Sequence, residues 1–106
     1  MPENIQILLS KLKKGLVKIY GDQLKAVYLY GSYARGEAYP ASDVDVMIVL
    51  ADYQSYGKEI DRTGELVSKL SLEYGLSISR VITKESQWQQ AATPLLRNIR
   101  AEGIAA

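Results

Sequence analysis

An α/β fold, with a small mixed β-sheet flanked by helices, is predicted by three observations. Stretches with helical periodicity alternate with short β-forming runs. One of those runs, Val44 to Leu50 (VDVMIVL), is apolar on both faces, as a central strand covered from two sides must be. Glycines and a Thr-Pro pair fall where elements should stop and start.

From Pro2 to about Tyr20, the apolar residues Ile5, Leu8, Leu9, Leu12, Leu16 and Ile19 recur at helical spacing, with Lys11, Lys13, Lys14 and Lys18 between them. This is an amphipathic helix, and Gly21-Asp22 ends it. Lys25 to Tyr30 (KAVYLY) is a short strand rich in β-formers, stopped by Gly31. A loop, Tyr33 to Ser42, leads to the central strand, which places Asp43, Asp45, Met47 and Val49 on one face and Val44, Val46, Ile48 and Leu50 on the other. Tyr56 to Tyr74 is a second long helix ending at Gly75, and Leu76 to Thr83 (LSISRVIT) a third strand. Ser86-Gln87-Trp88-Gln89 has the form of a capping box and predicts a short helix starting there. Thr93-Pro94 predicts the start of a last helix, with Gly103 at its stop.

The 106 residues suit one domain, residues 1–106, with a single modest core. Thirteen basic and twelve acidic residues leave a net charge of +1, so no footprint for long nucleic acid is expected. The chain has no cysteine and no histidine, which excludes disulfides, thiolate metal sites and cysteine nucleophiles. Any metal must sit among oxygen ligands, a set that suits magnesium or manganese. No stretch approaches the roughly 18–20 apolar residues of a membrane span, and the start, MPENIQ, has no signal-peptide pattern. The expected location is the cytoplasm.

The chemistry concentrates in GSYARGEAYPASDVDVMIVL, Gly31 to Leu50. A Gly-Ser turn leaving a strand can offer backbone N–H groups and a hydroxyl to an anion, and a helical turn at Tyr33-Ala34-Arg35 would add its first amides. Alone, such a turn is more often an ordinary strand end. Residues two apart on a strand lie on one face roughly 6–7 Å apart, so the carboxylates of Asp43 and Asp45 can converge. Two like charges at the edge of an apolar interior repel and lose hydration, and a divalent cation resolves both problems. Against this stands a solvated loop mouth with Asp43 capping a turn. The joint arrangement, Gly31-Ser32, ten residues, Asp43-x-Asp45, should arise by chance in roughly one chain in a thousand of this length.

That pattern resembles the signature of the DNA polymerase β-like nucleotidyltransferase superfamily. The Ala34-Arg35-Gly36 and Ser42-Asp43 details, the YLYGS strand and the closing PLLRNIRAEGI segment resemble its minimal nucleotidyltransferase branch over nearly the whole chain. The resemblance implies a nucleoside triphosphate, ATP, as substrate, with magnesium (or manganese) held by Asp43 and Asp45 as the catalytic and metal residues. It implies nucleotide-binding roles for Gly31, Ser32, Arg35 and Ser42. For Arg35 a surface ion pair with Glu37 is an equal alternative. Transfer of AMP to a hydroxyl of a partner protein, a tyrosine of a HEPN-type toxin, is the implied activity, with an antitoxin role. A noncatalytic antitoxin that neutralises its partner by complex formation is the alternative.

One feature of the family pattern is missing. Active members carry a third carboxylate on a later strand, whereas LSISRVIT has Ser77 and Ser79 on the corresponding face. Glu73 and Glu85 flank that strand out of register. The amphipathic ends, residues 2–20 and 94–102, are expected to pack on the chain's own sheet, with partner docking or a homo-oligomer as the alternative. Of the eight tyrosines, Tyr33, Tyr39, Tyr53 and Tyr56 lie near loops, where an aromatic can stack on a base.

Overall fold

The computed structural model describes residues 1–106. In chain order it comprises α1 (Glu3–Tyr20), a 3₁₀ turn (Gly21–Gln23), β1 (Leu24–Tyr30), α2 (Ser32–Arg35), β2 (Val44–Leu50), α3 (Tyr56–Tyr74), β3 (Ile78–Lys84), α4 (Glu85–Gln90), α5 (Pro94–Glu102) and β4 (Ile104–Ala105). The four strands form one mixed sheet in the order β3-β2-β1-β4. β1 runs antiparallel to β2 and β4, and β2 runs parallel to β3, as the helical crossover α3 requires.

β2 is central and covered on both faces, as its sequence demands. On one side Val46, Ile48, Val27, Leu29 and Ile82 meet Ile5, Leu8, Leu12 and Leu16 of α1 and Val67 and Leu70 of α3, forming the main core. On the other side Met47 and Val49 meet Leu96 and Ile99 of α5 in a smaller cluster, edged by Tyr28 and Trp88. Both amphipathic ends therefore spend their apolar faces on the chain's own sheet.

Four expectations need correction. The short helix begins at Glu85 directly after β3, with Lys84 at its N-cap, so Ser86 lies inside it; the Lys84 N–H donates to Gln87 Oε1 at 3.5 Å. β3 starts at Ile78 instead of Leu76, since the αL turn at Gly75 is followed by two residues before pairing with β2 begins. The segment after Gly31 is not all loop, because its first four residues form α2. After Gly103, which ends α5 where expected, the chain continues at once into a fourth strand, β4, which the sequence periodicity does not predict.

A polar cluster pins α3 to the ends of α1 and β3. The Tyr20 hydroxyl donates to Glu59 Oε1 at 2.8 Å, and Arg62 Nε lies 3.5 Å from the same oxygen. Arg80 of β3 donates to Thr63 Oγ1 and to the Ile60 carbonyl, both at 2.8 Å. Burial and the bond to Glu59 push the Tyr20 phenol well above its ordinary value. A raised folded-state pKa means the stabilisation is complete below the unfolded value of about 10 and is lost as pH rises through the folded value. Tyr20→Phe is expected to cost about 1–2 kcal/mol at pH 7, measured by urea unfolding, with the gap from wild type narrowing by pH 11. An equal gap at both pH values would contradict this role for Tyr20.

Candidate active site

β1 ends at Tyr30, which pairs with Asp45 at the start of β2. The next residue, Gly31, has φ 76° and ψ −155°, a backbone region essentially restricted to glycine. Space adds to this: a β-carbon at position 31 would press on the Asp45 carboxylate, 3.1 Å from its Cγ, and that side chain would have to swing aside. The chain then turns straight into α2. Its first amides, at Ser32 and the residues after it, have no intrahelical acceptors, and the Arg35 N–H is the first to be taken up, by the Gly31 carbonyl at 3.1 Å. Gly36, in the left-handed conformation, ends the turn.

A short loop then returns to the same place. The Ser42 hydroxyl accepts from the Tyr39 N–H at 2.8 Å, closing the loop just before Asp43. Asp43 lies one residue outside β2 and is exposed, while Asp45 is on the strand and partly buried. The result is an open groove of ≈ 480 Å³ lined by Gly31, Ser32, Arg35, Ser42, Asp43 and Asp45. All six residues to which the resemblance gives nucleotide or metal roles line it. Burial first, and then the neighbouring Asp43 carboxylate, push the Asp45 carboxyl above its ordinary value, with Arg35 opposing.

Arg35 both lines the groove and forms ion pairs, with Glu37 at 3.0 Å and with Glu102 at 3.2 Å. The bond to Glu37, foremost, raises its pKa further. The two readings of Arg35 are thus not exclusive. Ser79 pairs with Asp45 across β2 and β3, so the position beside Asp45 on the third strand is held by a hydroxyl. No cluster of three carboxylates able to hold a metal exists in the chain. Glu73 is taken up by Lys11 at 2.6 Å, and neither it nor Glu85 lines the groove.

The opposite wall was not foreseen. Leu95, Asn98 and Glu102 of α5 complete the groove, with Tyr30 beside them. The helical spacing of 95, 98 and 102 puts them on one stripe, but only folding brings that stripe to Gly31. The tyrosines proposed for base stacking do not line the groove. Tyr33 is buried in the main core because α2 turns it inward, Tyr39 is exposed elsewhere, and Tyr53 and Tyr56 pack edge to face at 6.2 Å.

A small mixed sheet thus brings a Gly-Ser turn, a helix start and two carboxylates to one groove, groups whose chemistry suits a phosphate-bearing molecule. Comparison with known proteins agrees. The chain belongs to the nucleotidyltransferase domain family, whose model matches residues 9–104. Two candidate protein adenylyltransferases of Methanocaldococcus jannaschii are similar to it. One is 37% identical over 79 residues, covering 74% of this chain and 79% of the relative. The other is 30% identical over 101 residues, covering 94% and 95%. Among solved structures, a toxin–antitoxin crystal structure with AMP-PNP shares the fold with a TM-score of 0.63 at 23% identity, over 89% of this chain and 68% of that one. A tri-AMPylated Shewanella oneidensis HEPN toxin in complex with its MNT antitoxin matches with a TM-score of 0.52 at 20% identity, over 92% of this chain and 70% of that one. No helix is long and apolar enough to cross a membrane.

Gly31→Ala is expected to destabilise the fold by about 1–3 kcal/mol in urea unfolding. In an Asp45→Ala background the same substitution should cost at least about 0.5 kcal/mol less, because the collision is gone while the backbone penalty stays. Equal losses in the two backgrounds would show that Gly31 and Asp45 do not press on each other.

Proposed function

We propose that this nucleotidyltransferase moves AMP from ATP to a hydroxyl of a partner protein, and that its partner is a HEPN-type toxin which it neutralises. The observation that carries this reading is the convergence of Gly31, Ser32, Asp43 and Asp45 on one open groove.

A divalent cation fits the donors present. Asp43 and Asp45 are hard oxygen ligands that line one groove, and burial together with the neighbouring Asp43 carboxylate disfavours the charge on Asp45, which a bound cation would offset. These two side chains would hold magnesium or manganese. Such an ion, when bound, supplies positive charge to the phosphate oxygens and to the attacking oxygen.

The protein's own groups do the positioning. The Ser32 hydroxyl and the free amides at the start of α2 bind the triphosphate, and the Arg35 guanidinium adds a fixed positive charge at the same end. Ser42 accepts from Tyr39 N–H and keeps its own proton to donate to a phosphate oxygen. The acceptor oxygen then bonds to the α-phosphorus as the bond to the bridging oxygen breaks. Pyrophosphate leaves, and the hydroxyl proton passes to solvent at the open mouth of the groove.

A protein acceptor suits this groove, which is open to a hydroxyl presented from outside. The naming of the relatives as candidate protein adenylyltransferases and the shared fold with the antitoxin of a tri-AMPylated toxin support it. A second reading, neutralisation by complex formation alone, is favoured by one observation: Ser79 stands beside Asp45, and no third carboxylate joins the pair.

Incubation with labelled ATP, magnesium and a HEPN-type partner should label the partner. Asp43→Asn and Asp45→Asn should each reduce labelling by about 100-fold or more. Absence of label, with wild type and both variants still neutralising the partner, would replace the enzymatic reading with the second one.

A further inference from the structure

The wall of the groove contributed by α5 meets the phosphate end only through Glu102, and the rest of it, Leu95 and Asn98, is left unused by the chemistry above. Leu96 and Ile99 turn into the smaller core, which fixes the helix and leaves Leu95, Asn98 and Glu102 facing the groove. Glu102 is anchored to Arg35 at 3.2 Å, so this end of the stripe abuts the phosphate-binding end. Asn98 is exposed and its amide makes no hydrogen bond within the chain, in a wall whose other polar member, Glu102, is paired. Leu95 is 41% exposed and borders not only the groove but also a second, mainly apolar pocket of ≈ 190 Å³ that includes Val81, Ala92 and Leu96. From Glu102 back to Leu95 the helix rises roughly 10 Å, the length of a nucleoside laid along it. Polarity therefore falls in order along this wall: ion pair, free amide, apolar side chain, apolar pocket.

We propose that α5 is the nucleoside-recognition wall of the site. Asn98 hydrogen-bonds the polar edge of the sugar or base, and Leu95 packs on the base face at the corner between α4 and α5. This rests on the nucleotidyltransferase reading of the groove and adds the direction in which the substrate lies. The triphosphate sits at Ser32 and Arg35, and the base points towards Leu95. A primary amide offers a donor and an acceptor together, which suits a purine edge, and an apolar neighbour removes competing water. Glu102 is a positioning residue here, since it touches Arg35 and holds it at the phosphate end.

Calorimetric titration with two probes, magnesium ATP and magnesium tripolyphosphate, separates the wall from the phosphate site. Leu95→Ala and Asn98→Ala should each weaken ATP binding by about tenfold, the loss of one good contact, and leave tripolyphosphate affinity within about twofold of wild type. Ser32→Ala should weaken both probes. Because Leu95 and Asn98 are exposed, both variants should melt within about 2 °C of wild type. ATP affinity unchanged in both variants would overturn the proposal and assign the wall to the acceptor. A parallel loss for both probes would overturn it as well, placing the effect at the phosphates. A wild type that binds ATP no more tightly than tripolyphosphate overturns the wall alone, while one that binds neither overturns the underlying reading of the groove.

Discussion

The contact between Gly31 and the Asp45 carboxylate is the constraint on which the site depends. β1 and β2 pair in antiparallel register up to Tyr30 and Asp45, so the residue at which β1 turns away lies against the side chain at which β2 begins. The φ of 76° at Gly31 favours glycine and directs the chain immediately into α2, and a β-carbon there would displace the Asp45 carboxylate. A single glycine therefore brings the start of α2 and the carboxylates together in one groove. The loop between them need not be a precise spacer, because the strand pairing sets the distance. Ser42 only has to close it against Tyr39.

The cost of that arrangement falls on Asp45. Its charge lies at the edge of a sheet covered on both faces, next to another carboxylate, and its pKa rises accordingly. Arg35 offsets part of this from across the groove, itself held by Glu37 and Glu102. The strand that carries Asp45 is held by packing on both of its faces. β2 is pinned by the main core on one face and by Met47, Val49, Leu96 and Ile99 on the other. The same small cluster fixes α5, so the wall facing the carboxylates is placed by core packing, with no loop involved. Stability and site geometry thus share the same residues.

How much of this could be read from the sequence follows from whether a feature is local. The two long helices and β2 announce themselves by period, and Gly31, Ser32, Asp43 and Asp45 by spacing, because each lies within one short stretch. α2 was foreseen only as a turn. β4 escaped notice since two residues after Gly103 carry no period, and they become a strand only because β1 has an unpaired edge to offer. The start of α4 is not legible because Lys84, the last residue of β3, stands at its N-cap, and lysine has no side-chain acceptor to mark it. The groove's far wall was illegible for a deeper reason. Leu95, Asn98 and Glu102 lie more than fifty residues from Gly31, and their role arises from how α5 packs on the sheet. The family pattern places a third carboxylate on β3, where Ser79 stands; the further acidic residue that reaches the groove comes from α5 and serves Arg35.

The central claim is that Asp43 and Asp45 converge on a cation beside the Gly31-Ser32 turn. Manganese, added in substoichiometric amounts to isotopically labelled protein, reports this directly through paramagnetic broadening of amide signals. The account predicts that the signals of Gly31, Ser32 and residues 42–45 broaden first, and that Asp45→Asn abolishes the selectivity. Broadening that begins instead around surface acids such as Asp22 or Glu73, with the signals at Gly31 and Asp45 unaffected, would contradict it.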